Sequence, residues 1–230
     1  MVDGGYVIAD IPDMKYDALI AGGVCDDVSF EDDFIRYQGS DSDTLLVYAF
    51  DGTVGELPHN CQHKNQFRFT RKNIGYEESD SCTNLHSLFS AYMHLPDPKL
   101  FVKMDIEGGE VAWIKSLEPG HMNAIAQFVM EFHRPFGREE IEMFKKINQT
   151  HIMVHFHPNN AGGHCIHQGV FMPNVFECTY LHKRFFNGEA ELNMDYIPNE
   201  VVDARNIPWN AEIYMGHPPF VHFERFTRKL

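Results

Sequence analysis

The chain has 230 residues, of which 43% are apolar, and it is long enough to bury a full core. Its formal net charge is −14 with histidine neutral. This acidity argues against nucleic acid as a partner, because phosphate binding needs a basic face. No apolar run reaches about 18 residues, and the first residues show no secretory signal, so we expect neither membrane insertion nor secretion. The five cysteines are widely spaced without a C-x-x-C pair, which favours reduced thiols and a cytoplasmic location.

The first half of the chain alternates strand and helix patterns. Short apolar runs bounded by turn residues indicate buried strands, and aromatic and aliphatic residues at helical spacing indicate amphipathic helices. The predicted strands are 16–20, 45–50 and 67–74. The predicted helix faces are Phe30, Phe34 and Tyr37, and then Leu85, Leu88, Phe89 and Tyr92.

The second half continues this alternation and then changes character. Two further strands are each followed by a helix, and the last two strands have no helix between them, which is typical of an antiparallel pair joined by a long loop. The predicted strands are 100–104, 127–133, 151–156 and 175–181. The predicted helix faces are Val111, Ile114 and Leu117, ending at Pro119-Gly120, and then Ile141, Phe144 and Ile147 within 138–148.

This order of elements predicts an α/β fold. Strands that alternate with helices form a mainly parallel sheet covered on both faces, and the terminal pair adds an antiparallel hairpin. No repeat or linker divides the sequence. We therefore expect a single domain over residues 1–230, with its core at about 16–184 and an irregular extension, 185–230, packed on that core.

The first two strands end in residues typical of a nucleoside site. In an open α/β sheet, ligands bind across the carboxyl ends of the strands. The adjacent glycines Gly22 and Gly23 allow close approach of a ligand, although turns use glycine widely. Asp51 stands where such folds bind a ribose diol, with an ordinary Asp-Gly turn as the alternative. The glycine turn is not G-x-G-x-x-G, which argues against a dinucleotide cofactor.

Acids and a histidine follow the next two parallel strands. The apolar run that begins at Phe101 ends in Asp105, Glu107 and Glu110, interrupted by two glycines. An acidic first turn of a helix is the structural alternative, because the helix dipole favours it. At the end of the strand that follows, alternation puts Glu131 and His133 on one side. Titratable groups on neighbouring strand ends indicate a reaction centre.

A long polar loop follows the sixth strand end. His155, His157, Asn159 and Asn160 could recognise a hydroxylated substrate, or they could belong to a solvated loop. The histidines raise the question of metal binding. Their spacing matches no structural zinc motif and no cysteine pair accompanies them, so we do not expect zinc here.

This order of motifs resembles the FkbM family of S-adenosylmethionine-dependent O-methyltransferases, and it suggests the methyltransferase domain of a large-virus glycan-building enzyme. The resemblance covers about residues 16–184, and its most specific part is the Lys-Met-Asp-Ile-Glu-Gly stretch that starts at Lys103. The matching segments are 21–31, 48–51, 103–110, 130–133, 157–160 and 173–180.

The resemblance implies a class I methyltransferase fold, which is a Rossmann-like, mostly parallel seven-stranded sheet whose last two strands form an antiparallel hairpin. It implies S-adenosylmethionine as the cofactor, and the hydroxyl of a small molecule, sugar or glycan as the methyl acceptor. The residues at which it places the cofactor are Gly22, Gly23, Asp26, Phe30, Glu31, Asp51, Gly52, Asp105 and Glu107.

Two versions of catalysis fit these residues. In the first, His133 is the base that removes the acceptor proton, and Glu131 or Asp105 orients it or acts in its place. In the second, a divalent cation such as magnesium or manganese lies between Asp105 and Glu131 and lowers the hydroxyl pKa. A nicotinamide-dependent oxidoreductase and a non-catalytic nucleoside-binding module are the alternative functions.

Overall fold

A computed structural model describes residues 5–39, 45–134, 136–186, 188 and 190–222. Within these ranges the chain forms a seven-stranded sheet with helices on both faces. The strands are β1 (Ala18–Gly22), β2 (Leu46–Phe50), β3 (Phe67–Thr70), β4 (Asn73–Ile74), β5 (Cys82–Thr83), β6 (Leu100–Met104), β7 (Ile125–His133), β8 (His151–Pro158), β9 (His164–His167), β10 (Val170–Pro173) and β11 (Val175–His182). The helices are α1 (Ser29–Gln38), α2 (His86–Tyr92), α3 (Glu110–Ser116), α4 (Pro119–Ala124) and α5 (Arg138–Thr150).

The strand order across the main sheet is β3-β2-β1-β6-β7-β11-β8. The first five strands in this order are parallel, and β11 runs antiparallel to both of its neighbours. The predicted α/β fold, with a mostly parallel sheet and a C-terminal antiparallel pair, is confirmed at this level. Because β11 is inserted between β7 and β8, the last strand of the sequence occupies an inner position of the sheet.

The core has two layers because the sheet buries both of its faces. Alternate residues of the central strands point to opposite sides, so Leu19 packs towards α1 and Ile20 packs towards the other four helices. Trp113 of α3, which is 1% exposed, is among the largest side chains of the second layer. Both layers hold the carboxyl ends of β1, β2, β6 and β7 at one edge, and this edge carries the candidate site.

Three local predictions are wrong in detail. Gly22 is the last residue of β1 and does not belong to the turn. Pro119 and Gly120 begin α4 rather than end α3, since proline suits the first position of a helix, where its missing N–H costs nothing. Ile141 is 49% exposed, and Met143 takes its place on the buried face of α5 beside Ile147.

The strand pattern predicted for residues 67–74 is broken into two short strands. The chain pairs with β2 only as far as Thr70, and Asn73 and Ile74 then pair with Cys82 and Thr83 in a separate two-stranded sheet. This excursion carries Asn73 and Ile74 across the carboxyl edge of the main sheet. It matters for the site because both residues contact glycines there.

The chain after β11 has little regular structure, and its described part over residues 190–222 is called the C-terminal segment below. It is anchored by Ile213 and Met215, which are buried in the main core, and Val221 is buried as well. Residues 223–230 of the predicted extension lie outside the described residues, and the single-domain arrangement stays a prediction. Across the ranges that the structure describes, none of the helices has the length and apolar character that crossing a membrane requires.

Candidate functional site

The loop that leaves β1 is in backbone contact with the loop that leaves β6. The Gly23 amide donates to the Phe50 carbonyl at 2.9 Å, and the Asp105 amide donates to the Gly22 carbonyl at 3.0 Å. Gly23 has φ +71°, and a Cβ placed on it would lie 1.6 Å from the Asp105 carbonyl oxygen. Only glycine fits this position. The predicted glycine turn therefore lies directly against the predicted catalytic acid.

A buried ion pair lies beneath this turn. Lys103 donates to the Gly23 carbonyl at 3.1 Å, and its ammonium lies 3.9 Å from the carboxylate of Glu31. Burial raises the pKa of Glu31, and the charge of Lys103 opposes that rise. Glu31 is fully buried, and neither of its carboxylate oxygens has a hydrogen-bond partner among the described residues; its assignment to the cofactor stays a prediction. Its place in the structure is behind Lys103, below the glycine turn.

Asp51 holds the two loops around its own strand end. Its Oδ1 accepts from the Thr53 amide at 2.7 Å and from the Thr53 hydroxyl at 2.6 Å, and its Oδ2 accepts from the Cys25 amide at 2.9 Å. Burial raises the pKa of Asp51, but these hydrogen bonds outweigh burial and hold the pKa below its ordinary value. Asp51 is thus ionised, with Oδ2 as the less occupied oxygen.

Neighbouring glycines make room for residues that the sequence pattern did not single out. A Cβ on Gly52 would lie 2.3 Å from Oδ1 of Asn73, and one on Gly22 would lie 2.5 Å from the Ile74 side chain. Asn73 and Ile74 therefore pack against the glycines at the ends of β1 and β2. Only the excursion of the chain after β3 brings them there.

Two of the predicted cofactor residues lie away from the strand ends. Phe30 belongs to an aromatic cluster, with its ring centroid 5.7 Å from that of Tyr6 and 6.0 Å from that of Phe101. Asp26 is exposed in the loop before α1. Neither is brought to the acids that follow β6.

Asp105, Glu131 and His133 converge as predicted, and we call them the acid–histidine cluster. Each offers one ligand atom, and these atoms lie within 4.8 Å of one another. Nε2 of His133 lies 3.0 Å from Glu131, and Nδ1 lies 3.0 Å from Glu110. Burial lowers the pKa of His133, but its hydrogen bonds to Glu110 and Glu131 outweigh burial and raise it to about 10.

Asp105 is the incompletely satisfied member of the cluster. Its Oδ1 is buried and has no hydrogen-bond partner among the described residues. Burial, reinforced by the charge of Glu131, raises the pKa of Asp105 to about 7, whereas Lys103 and His133 oppose the rise. The cluster offers two carboxylates, one of which has this unpaired oxygen, and an imidazole. Such a donor set suits a hard divalent cation.

Glu107 and Glu110 both lie beside His133, but they differ in burial. Glu107 has φ +51°, and its side chain is 84% exposed, yet its Oε2 lies 3.3 Å from Nε2 of His133. Glu110 is 2% exposed and accepts from the Gly108 amide at 3.0 Å as well as from His133. Glu110 is therefore part of the support of His133. The sequence could have indicated this role, because Glu110 is the first residue of α3 and an inward acid in the first turn of that helix faces the strand ends.

The predicted substrate residues mostly hold the C-terminal segment. His155 lies 2.8 Å from Asp203, and the Asn160 amide donates to the Ile207 carbonyl at 3.0 Å. His157 lies 3.3 Å from Glu177, whose other oxygen accepts from Asn206. These side chains take part in packing, because a segment without ladder hydrogen bonds needs side-chain partners. Nε2 of His157 has no hydrogen-bond partner among the described residues, and the assignment of His155, His157 and Asn160 to the substrate stays a prediction.

Asn159 is the loop residue that reaches the acid–histidine cluster. Its Nδ2 donates to Oε2 of Glu131 at 3.0 Å, and its Oδ1 accepts from the Ala161 amide at 2.8 Å. Glu131 is thereby held from two sides, by His133 and by Asn159. The loop after β8 is thus tied to the acid–histidine cluster through Asn159.

This edge of the sheet combines the glycine turn at Gly22 and Gly23, an ionised Asp51 and a group of carboxylates around His133. Neither the known protein families nor the curated proteins include a match to this chain. What the arrangement does must therefore be argued from its own geometry.

Proposed function

We propose that this protein transfers a methyl group from S-adenosylmethionine to a hydroxyl of a sugar or glycan acceptor. One observation carries the proposal: the glycine turn at Gly23, the carboxylate of Asp51 and the acid–histidine cluster meet at one edge of the sheet. The strand order, with the last strand inserted antiparallel before β8, supports the class I methyltransferase fold that the motif resemblance implies.

The cofactor fits across the first three strand ends. Ligands of open α/β sheets bind there, and the backbone of Gly23 leaves no side chain in the way. Oδ2 of Asp51 receives one hydrogen bond from Cys25, and a carboxylate oxygen can accept two. Asp51 therefore retains acceptor capacity for a ribose hydroxyl. The methionine part of the cofactor would extend towards Asp105, which contacts the glycine turn.

Asp105 is a better base than His133 in this geometry. Both nitrogens of His133 face carboxylates at 3.0 Å, so neither is free to take a proton from the acceptor. Oδ1 of Asp105 has no partner among the residues described, and it can accept that proton. In-line transfer depends mainly on alignment of the acceptor with the methyl group, which the fixed carboxylates on Asp105 and Glu131 would supply.

A divalent cation is compatible with the same three residues. Asp105, Glu131 and His133 would hold it, and Glu110 and Asn159 would orient His133 and Glu131 from behind. Such a cation lowers the pKa of a bound hydroxyl. The protein's own groups would still position the acceptor and exclude water.

Thermal unfolding in the presence of S-adenosylhomocysteine, NAD or no ligand tests the cofactor assignment. At about 100 times its dissociation constant, S-adenosylhomocysteine should add ~2.7 kcal/mol, which raises the melting temperature by about 5–10 °C for a domain of this size. Asp51→Asn should reduce this shift, whereas Asp97→Asn, an exposed acid elsewhere, should preserve it. A rise with NAD alone would instead select the oxidoreductase.

Methyl transfer to a panel of methyl pyranosides tests the base. We expect Asp105→Asn to bind S-adenosylhomocysteine normally and to lose at least ~100-fold in turnover. Manganese titration followed by electron paramagnetic resonance separates the two versions, because a metal site would bind Mn²⁺ in the wild type and lose it in Asp105→Asn. Full turnover in Asp105→Asn would remove this residue as the base.

A further inference from the structure

A cavity of about 330 Å³ lies between the β9–β10 hairpin and the C-terminal segment. Pockets of this size accommodate small ligands, and such pockets combine apolar walls with a few polar groups. The residues that build its walls are His164 and Phe171 from the hairpin, Asn160 from the preceding loop, and Asn210, Glu212 and Tyr214 from the C-terminal segment.

Aromatic rings form one wall of the cavity. The rings of His164 and Phe171 have centroids 4.6 Å apart and planes inclined by 38°. They lie on one face of the hairpin because His164 pairs with Pro173, two residues along from Phe171. Tyr214, which also lines the cavity, is 57% exposed. An exposed ring together with a fixed ring pair offers flat surfaces to a ligand.

Carboxylate and amide groups form the other wall. The Glu212 side chain is 7% exposed, accepts from the Ile213 amide at 3.2 Å and lies 4.0 Å from Arg205. Its carboxylate retains acceptor capacity, because two oxygens provide about four sites. Asn210 donates to the Asn160 carbonyl at 3.2 Å, which fixes the distance between the two walls.

The cavity adjoins the acid–histidine cluster through the chain itself. Asn160, in the cavity wall, directly follows Asn159, and Asn159 donates to Glu131 of the cluster at 3.0 Å. The cavity wall and the acid–histidine cluster are therefore connected by two adjacent residues of one loop. In the proposed chemistry, the role of the C-terminal segment is to form the cavity wall that contains Asn210, Glu212 and Tyr214.

We propose that this cavity is the acceptor subsite and binds the pyranose ring of a neutral sugar, an inference that rests on the proposed methyl transfer. A pyranose presents an apolar C–H face, which matches the aromatic wall, and an edge of hydroxyls, which matches Glu212. A carboxylate on the sugar would face Glu212 in a chain of net charge −14, so uronic acids are excluded by repulsion.

Saturation-transfer NMR with methyl pyranosides of neutral hexoses, 6-deoxyhexoses, N-acetylhexosamines and a glucuronide tests this subsite, with and without S-adenosylhomocysteine. We expect signals on the ring C–H protons of at least one neutral pyranoside and none for the glucuronide. Tyr214→Ala and Glu212→Gln should each weaken that affinity at least about tenfold. Tyr37→Ala, an exposed tyrosine on α1, is the matched control and should bind as the wild type does.

Each outcome separates the subsite from the methyl-transfer proposal. Thermal unfolding without ligand first establishes that the variants fold. A wild type that is stabilised by S-adenosylhomocysteine but gives no pyranoside signal overturns the subsite and leaves methyl transfer standing. Pyranoside signals that persist unchanged in both variants also overturn it. Variant-sensitive pyranoside binding without any response to S-adenosylhomocysteine supports the sugar site and overturns the methyltransferase.

Discussion

At the scale of single residues, the site depends on one glycine and one unsatisfied oxygen. Gly23 places the loop after β1 against the backbone of Asp105, and Oδ1 of Asp105 then stands buried without a partner among the described residues. Lys103 donates to the Gly23 carbonyl from below. The turn and Asp105 are therefore held together by backbone contact, and a substitution in either should shift the position of the other.

Gly23→Ala should destabilise the protein by about 3 kcal/mol, because the left-handed φ costs ~1–2 kcal/mol and the added Cβ collides with backbone. Gly108→Ala is the control, since Gly108 has φ +95° but nothing within 4 Å of a Cβ. Gly108→Ala should lower the free energy of unfolding by only ~1 kcal/mol. Urea unfolding measures both, and equal losses would contradict the close contact between Gly23 and Asp105.

At the scale of elements, the helices after β6 and β7 support the acid–histidine cluster from one side. Glu110 begins α3 and binds His133 at the end of β7, so the start of one helix fixes the side chain of the neighbouring strand. Behind α3, α5 packs with Met143 and Ile147 towards the core. The orientation of α5 therefore helps to set the position of α3 and, through it, of His133.

Met143→Ala should cost ~2–4 kcal/mol, because Met143 is fully buried and truncation leaves a cavity. On the same helix, Ile141→Ala should cost under ~1 kcal/mol, since Ile141 is 49% exposed. Denaturant midpoints compared at constant slope provide the measurement. The reverse ranking would restore the helix face that hydrophobic spacing predicts.

At the scale of the whole molecule, the C-terminal segment closes one side of the site. Asn160 holds it through Ile207 and Asn210, and His155 holds it through Asp203. The same contacts shape the cavity proposed for the acceptor. The loop around Asn160, which the sequence pattern left available for substrate, therefore binds the C-terminal segment. The acceptor would contact the cavity walls that these contacts shape.

Asn160→Ala should release the C-terminal segment without unfolding the sheet, because it removes three side-chain hydrogen bonds to that segment. Limited proteolysis with mass spectrometry should show faster cleavage within residues 190–222, with an unchanged circular dichroism spectrum. Asn60→Ala, at an exposed position, should cleave as the wild type does. Protection equal to wild type in Asn160→Ala would show that the Asn160 side chain is not needed to hold the segment.

The sequence by itself determined the sheet and its edge. Apolar runs, glycine turns and acids at strand ends predict the α/β fold, the antiparallel terminal pair and the meeting of Asp105, Glu131 and His133, because these are local patterns combined with one rule of sheet geometry. The proton state of His133 could not be predicted in the same way. It depends on Glu110, a residue 23 positions away in the chain.

Only the tertiary structure decided which polar residues are already occupied. His155 is paired with Asp203, and Asn160 is bound to the C-terminal segment; a residue's type and spacing do not reveal whether a distant segment uses its hydrogen bonds. The physical reason is that satisfaction of a buried polar group is a property of the whole packed chain. For the same reason, the cavity beside Asn160 has no signature in the sequence, since its walls come from a hairpin and a segment about 40 residues apart.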